Sequence, residues 1–268
     1  MSWARRAGAA LLAIVSGMLA GCAEPSGDAP PAAAPGHDPT VIAGEVVVLA
    51  AASLTDALEE IGAAFETANP GTDVIFSFGP SSGLATQIVE GAPADVAAFA
   101  SEVTMDRLAA AGAVAGQPQV FATNDLVVVT PAGNPEGIAG VEDLTDSGTV
   151  ALCGADVPCG VLAQEVLDTA GVEIPETSVT RGEDARSTLA AVSRGDAAAG
   201  VVYRTDAAAA GDDVEVIAFP AGIDAVARYP VAGLADSRNA AVAAAFVEFV
   251  LSAPGRRILA DHGFGPAP

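Results

Sequence analysis

Ser53, Ser81, Cys159 and Tyr203 fall where apolar runs give way to helical patterns. Ser53 follows Val46-Val47-Val48-Leu49 and three alanines, and precedes Leu54, Leu58, Ile61 and Phe65 at helical spacing. Ser81 follows Val74-Ile75-Phe76-Ser77-Phe78 and precedes Leu84, Ile88 and Val89. Cys159 lies between the run Thr149–Cys153 and the helical residues Leu162, Val166 and Leu167. Tyr203, one of 2 tyrosines, closes Ala199-Gly200-Val201-Val202. Glu183-Asp184-Ala185-Arg186 opens a further helix through Leu189 and Val192. Free backbone N–H groups and a positive dipole end meet at such junctions, a natural seat for an anion. Ser53, Ser81, the Cys159 region and Tyr203 contain no carboxylate or base. They offer donors, which suits holding a desolvated anion rather than transforming it. Plainer readings stand beside this. Ser53 or Thr55 reads equally as a helix cap, with Asp56 completing a capping box, and Tyr203 as a half-buried ring with a wet hydroxyl.

Short apolar runs alternate with helical patterns from Glu45 onward, the mark of an α/β architecture whose functional residues sit at the carboxyl ends of strands. Ala94–Phe99 and Val214–Phe219 add strands, and Met105 and Leu108 a short helix. The β-branched run Asp125–Thr130, closed by Pro131, predicts a strand that crosses out of a first lobe, and Asp224–Ala232 a return crossing. Terminal helices are expected over Asn239–Leu251 and Pro254–His262.

Composition narrows the function classes. The 268 residues are 51% hydrophobic but only 4% aromatic, so the core must be built from Val, Leu, Ile and Ala. The formal net charge is −23, and every one of the 11 basic residues is Arg. Without Arg5 and Arg6, 9 Arg face 34 acids, a net of −25. That field is the wrong sign for nucleic acid. An anion ligand must therefore be won by short-range donors.

Residues 1–22 predict an export signal: Arg5 and Arg6, an apolar stretch from Ala7 to Ala20, then Leu19-Ala20-Gly21-Cys22. This ending resembles the bacterial lipobox, whose cysteine carries lipid. Residues 23–44, rich in Pro, Ala and Gly, are expected to be a flexible tether. The protein is then exported and lipid-anchored through Cys22 at the outer face of the cytoplasmic membrane.

Over about residues 45–265 the chain resembles the extracytoplasmic molybdate-binding proteins of ABC transporters. The blocks that carry the likeness are Ala50-Ala51-Ala52-Ser53-Leu54-Thr55, Ser77–Ala85, Gly91–Val96, Val157-Pro158-Cys159-Gly160, Glu183–Arg186 and Gly200-Val201-Val202-Tyr203. The resemblance implies an α/β, two-lobed periplasmic-binding-protein type II fold. Each lobe would be a mixed, mostly parallel sheet flanked by helices, with the ligand cleft between them. Residues 45–125 with 226–268 would form one lobe and residues 126–225 the other. It implies a tetrahedral oxyanion, molybdate or tungstate, held by the hydroxyls of Ser53, Ser81 and Tyr203 and by backbone N–H groups at Cys159 and Ala185. No cofactor is implied beyond that ligand. The implied partner is a membrane permease, and the protein is expected to be a monomer and not an enzyme. Pro80 and Gly83 depart from the family, where Ser or Thr is commoner, leaving the second loop fewer spare hydroxyls.

Cys153 and Cys159, with five residues between them, read as a disulfide in an exported chain. Two free small hydrophobes, or a reactive thiol, are the rivals. A second binding function is capture of another oxyanion such as sulfate. An exported hydrolase using Cys159 or Ser53 would need a base, and the folded part offers His262 alone, with no G-x-S-x-G elbow.

Overall fold

The computed structural model describes residues 42–268. The expected leader, Cys22 and the tether up to residue 41 lie outside the described residues. The tether was expected to run to residue 44, but its last residues belong to the fold. Ile42 packs on the core, and Gly44 opens the first strand, its N–H donating to the Gly71 carbonyl at 2.9 Å.

The chain builds β1 (Gly44–Ala51), α1 (Thr55–Ala68), β2 (Thr72–Gly79), α2 (Ser81–Val89), β3 (Val96–Ala98) and α3 (Glu102–Ala110). The long strand β4 (Val114–Pro131) leads to β5 (Val150–Cys153), α4 (Pro158–Ala170), β6 (Val179–Gly182), α5 (Ala185–Ser193), β7 (Ala199–Tyr203), α6 (Arg204–Ala210) and β8 (Val214–Ile217). The chain returns through β9 (Val226–Leu234) and ends with α7 (Ala240–Leu251), α8 (Ala253–Asp261) and β10 (Gly265–Pro266).

The strands lie in the order β2-β1-β3-β9-β4-β7-β5-β6, with β8 and β10 also paired to β4. Pairing is parallel on both outer sides: β1 with β2 and β3, β5 with β6 and β7. The crossing strands β4 and β9 pair antiparallel. β4 pairs with β9 as far as Asp125↔Val226 and with β7 from Leu126↔Tyr203. One strand thus serves both halves of the sheet, a mixed α/β two-lobed arrangement.

Parallel pairing aligns carboxyl ends. Ala51 of β1 lies beside Gly79 of β2, and Cys153 of β5 beside Gly182 of β6. The helices α1 and α2 start just past the first pair of ends and α4 and α5 just past the second. The three antiparallel steps β3–β9, β9–β4 and β4–β7 turn the two sets in opposite directions, so the helix N-termini of one half face those of the other. β1 is buried from Val48 to Ala51, as befits a parallel strand covered on both faces. α1 turns Leu58, Ile61 and Phe65 inward, and Phe65 meets Phe246 edge-on at 5.4 Å. One buried cluster runs from Val46 through Tyr229 to Val166, mostly aliphatic. Among the described residues no helix is long and apolar enough to cross a membrane.

Besides the two-residue β10, three features were not foreseen. β4 starts at Val114 rather than Asp125, because register shifts between Ala115 and Gln119 and between Val120 and Ala122 break the alternation that reveals a strand. β6 is a short edge strand whose residues, VTRG, contain no apolar run. α6, RTDAAAA, is a seven-residue helix with no amphipathic period to read.

Candidate functional site

Ser53, Ser81, Cys159, Ala185 and Tyr203 all line one cavity, with about 240 Å³ of empty volume. Ala51, Ala52, Gly79, Pro80, Ala100, Val157 and Pro158 supply its apolar wall, and Asp184 its one carboxylate. The lower half of the sheet order contributes the two serines; the β5–β7 side contributes the other three.

Neither serine caps its own helix. Ser53 lies in a 3-10 turn, Ala52–Leu54, without a side-chain cap bond, and the capping-box reading with Asp56 is not realised. Thr55 Oγ1 instead donates to the Ala52 carbonyl at 2.7 Å. The Ser53 hydroxyl shares a 3.0 Å hydrogen bond with the Tyr229 hydroxyl. Ser81 opens α2 behind Pro80, and its Oγ accepts the Ala100 N–H at 3.1 Å. A backbone N–H can only donate, so the Ser81 proton is free for the cavity.

The opposite wall is built differently. Cys159 is the second residue of α4 and Ala185 the first of α5, positions whose N–H groups have no partner within their own helix. Asp184 caps α5 by accepting the Ser187 N–H at 2.8 Å, which commits its Oδ1 to the helix. Cys153 and Cys159 are joined by a disulfide. Gly160 lets this turn close: a Cβ there would stand 1.9 Å from the Gly154 carbonyl oxygen. A Cβ at Gly79 or Gly83 would meet nothing nearer than 3.4 Å.

Tyr203 is 2% exposed, and its hydroxyl has no hydrogen-bond partner among the described residues. Burial pushes its phenol well above the ordinary range and the nearby Asp206 adds to this. The neighbouring Tyr229 hydroxyl opposes the shift. Tyr203 therefore keeps its proton. An orphaned buried donor costs about 1–3 kcal/mol unless something fills it.

Charge collects next door rather than in this cavity. A larger cavity, about 640 Å³ of empty volume, shares Ser53 and is lined by Asp56, Arg186, Asp206, Asp261 and His262 among others. Arg186 pairs with Asp56 of α1 and lies 3.6 Å from Asp206. The Asp206 carboxyl is pushed up to about 7 by burial; Arg186 opposes this, and Asp184 and Asp56 add to it. Asp206 escaped the sequence reading because nothing around it in RTDAAAA distinguishes it from a surface acid. Arg186 is held in these pairs, Asp184 caps α5, and Asp95 is tied to the turn before α7. Burial raises its carboxyl, but bonds from Ser237 and the N–H groups of Val47, Asn239 and Arg238 outweigh that and hold it below its ordinary value. His262 pairs with Glu60 at 2.8 Å and does not line the first cavity.

Residues 46–265 match the bacterial extracellular solute-binding protein pattern. The molybdate-binding protein ModA of Mycobacterium tuberculosis is 41% identical over 256 residues, covering 94% of this chain and 95% of the relative. This chain belongs to the bacterial extracellular solute-binding proteins. It is a binding protein, not an enzyme. The fold of the family is matched by the periplasmic molybdate-binding protein of Azotobacter vinelandii, with a TM-score of 0.74 at 20% identity, covering 83% of this chain and 100% of that one. The sulfate-binding protein SubI of Mycobacterium tuberculosis matches almost as well, with a TM-score of 0.73 at 22% identity over 83% of this chain and 86% of that one. Among solute-binding proteins, overall shape therefore says little about which oxyanion is held.

Proposed function

We propose that this protein captures molybdate, and tungstate alike, outside the cytoplasmic membrane and delivers it to the permease of an ABC transporter. The observation that carries the reading is the orphaned Tyr203 hydroxyl, aimed with two serine hydroxyls and two helix N-termini at one small cavity. Ser53, Ser81 and Tyr203 donate through their hydroxyls, Cys159 and Ala185 through backbone N–H groups. The relative at 41% identity is named for molybdate binding. No cofactor takes part beyond the anion itself, and one monomer holds one anion. Lipid on Cys22 would keep the protein beside its permease.

The chemistry suits a fully deprotonated dianion. Each hydrogen bond to a charged group contributes roughly 1.5–3 kcal/mol. Five or more in a mostly apolar cavity offset the loss of water around the ion. Hydrogen phosphate carries a proton that meets donors on nearly every side, so it binds poorly. Lobe closure about β4 and β9 would complete the shell, since the two walls come from opposite halves of the sheet.

Calorimetric titration of the purified protein with molybdate, tungstate, sulfate and phosphate tests this. The expected result is tight one-to-one binding of the first two and weak or no binding of the others. Tight sulfate binding with weak molybdate binding would reassign the ligand, and binding of none would remove the oxyanion reading.

A further inference from the structure

We propose that Tyr229 is a specificity-determining positioning residue: its hydroxyl donates to Ser53 Oγ and so obliges Ser53 to present a hydrogen, never a lone pair, to the bound anion. This rests on the oxyanion reading of the cavity above. Tyr229 is fully buried on β9 and does not itself line that cavity. Its Oη lies 3.0 Å from Ser53 Oγ. On its other side Asn124 Nδ2 donates to the same oxygen at 3.3 Å. The second hydrogen of that amide goes to Thr205 Oγ1 at 2.8 Å, which holds the Asn124 side chain in place.

The direction of the chain follows. Asn124 fills an acceptor position on Tyr229, and among the described residues Ser53 Oγ is the only other group hydrogen-bonded to that hydroxyl, so the relay assigns the phenolic proton to it. Ser53 Oγ is then an acceptor towards Tyr229, and its own proton has only the cavity left. Ser81 shows the same device in simpler form, with the Ala100 N–H in place of the phenol. Burial keeps the Tyr229 phenol protonated, far above its ordinary range. Chained donors polarise one another, which strengthens the last hydrogen in the row. An anion bearing a proton at that corner meets a donor facing a donor, and discrimination against protonated anions results.

The ring has a place of its own. It meets Phe264, Tyr203 and Phe121 edge-on, at 5.4, 5.8 and 6.4 Å between centroids. Tyr229→Phe keeps these contacts and removes only the relay.

The test compares full-length wild type, Tyr229→Phe, Ser53→Ala and the double variant, titrated with molybdate and, by competition, inorganic phosphate. Tyr229→Phe is expected to weaken molybdate about three- to tenfold, the scale of one neutral hydrogen bond. Phosphate should not weaken, so the molybdate-to-phosphate ratio narrows by the same factor. In the Ser53→Ala background, Tyr229→Phe should change nothing further, because the relay acts only through Ser53. Equal losses for both anions, or the same loss with and without Ser53, would mean a merely structural tyrosine and overturn the relay. Ser53→Ala weakened but Tyr229→Phe silent also overturns the relay and leaves the site standing. Wild-type affinity in Ser53→Ala overturns the site reading and the relay together. Should Tyr229→Phe fail to fold, Asn124→Ala removes the upstream donor instead. A two- to fivefold loss, absent without Ser53, supports the relay; an equal loss in both backgrounds contradicts it.

Discussion

The cavity that gathers Ser81 and Tyr203 and the larger one behind Ser53 share a wall but not a chemistry. The first holds hydroxyls, helix N-termini and one committed carboxylate. The second holds Arg186 with the acids Asp56, Asp206 and Asp261. An anion drawn by charge alone would be expected beside Arg186. That guanidinium is already paired with Asp56 and faces the buried Asp206 at 3.6 Å, although its Nε, like the Tyr203 hydroxyl, makes no hydrogen bond among the described residues. In a chain of net charge −23, the proposed anion site is the one whose donors meet a single, committed carboxylate, not the one whose cation is matched by three acids.

The sharpest way to break this contrast is to remove donors from the neutral side. Ser53→Ala and Ser81→Ala should each weaken molybdate at least about tenfold, from the 1.5–3 kcal/mol of a hydrogen bond to a charged group. Arg186→Gln should leave affinity within about threefold. Calorimetry on the three variants decides it, and the reverse pattern would move the anion to the charged cavity.

The disulfide comes next in size. Replacing both Cys153 and Cys159 with Ala should lower unfolding free energy by about 2 kcal/mol, the chain-entropy value for so short a loop. Denaturant titration measures it. Thiol counting under denaturing conditions should find neither cysteine free in protein exported under oxidising conditions.

Tyr203→Phe should act with opposite signs on stability and binding. The ligand-free protein loses an unpaired buried hydroxyl and should gain about 1 kcal/mol in denaturant titration, while molybdate weakens about tenfold. A loss of stability would mean that the hydroxyl is satisfied in the free protein.

Asp206 acts on the pH dependence of stability rather than on binding. Its folded carboxyl is raised to about 7 from an ordinary 3.8. The folded state therefore holds this proton more tightly than the unfolded state, and stability must fall as pH rises from about 4 to about 7. Asp206→Asn should remove that slope, a gain of roughly 2–3 kcal/mol at pH 8 relative to pH 5. Thermal unfolding at both values checks it.

What could be read from the sequence divides along the same line as the two cavities. The strand-to-helix junctions were legible because an apolar run, a small residue and a helical period announce each one, as at Val46–Phe65. The resemblance then joined Ala185, which has no side-chain chemistry to betray it. The charged cavity and the Tyr229 relay were not legible. Both depend on which residues the crossing strands and α6 bring together, and Tyr229 stands 176 positions from Ser53. No local pattern encodes a contact at that separation. The bulged part of β4 was hidden for a related reason: its pairing is set by β9, not by its own alternation.

The most direct test of the account is the crystal structure of the molybdate-soaked protein, with molybdenum located by its anomalous scattering. The account requires one strong peak within hydrogen-bonding reach, through its oxygens, of the Ser53, Ser81 and Tyr203 hydroxyls and the Cys159 and Ala185 N–H groups. A peak beside Arg186 and Asp206, or none in either cavity, would contradict it.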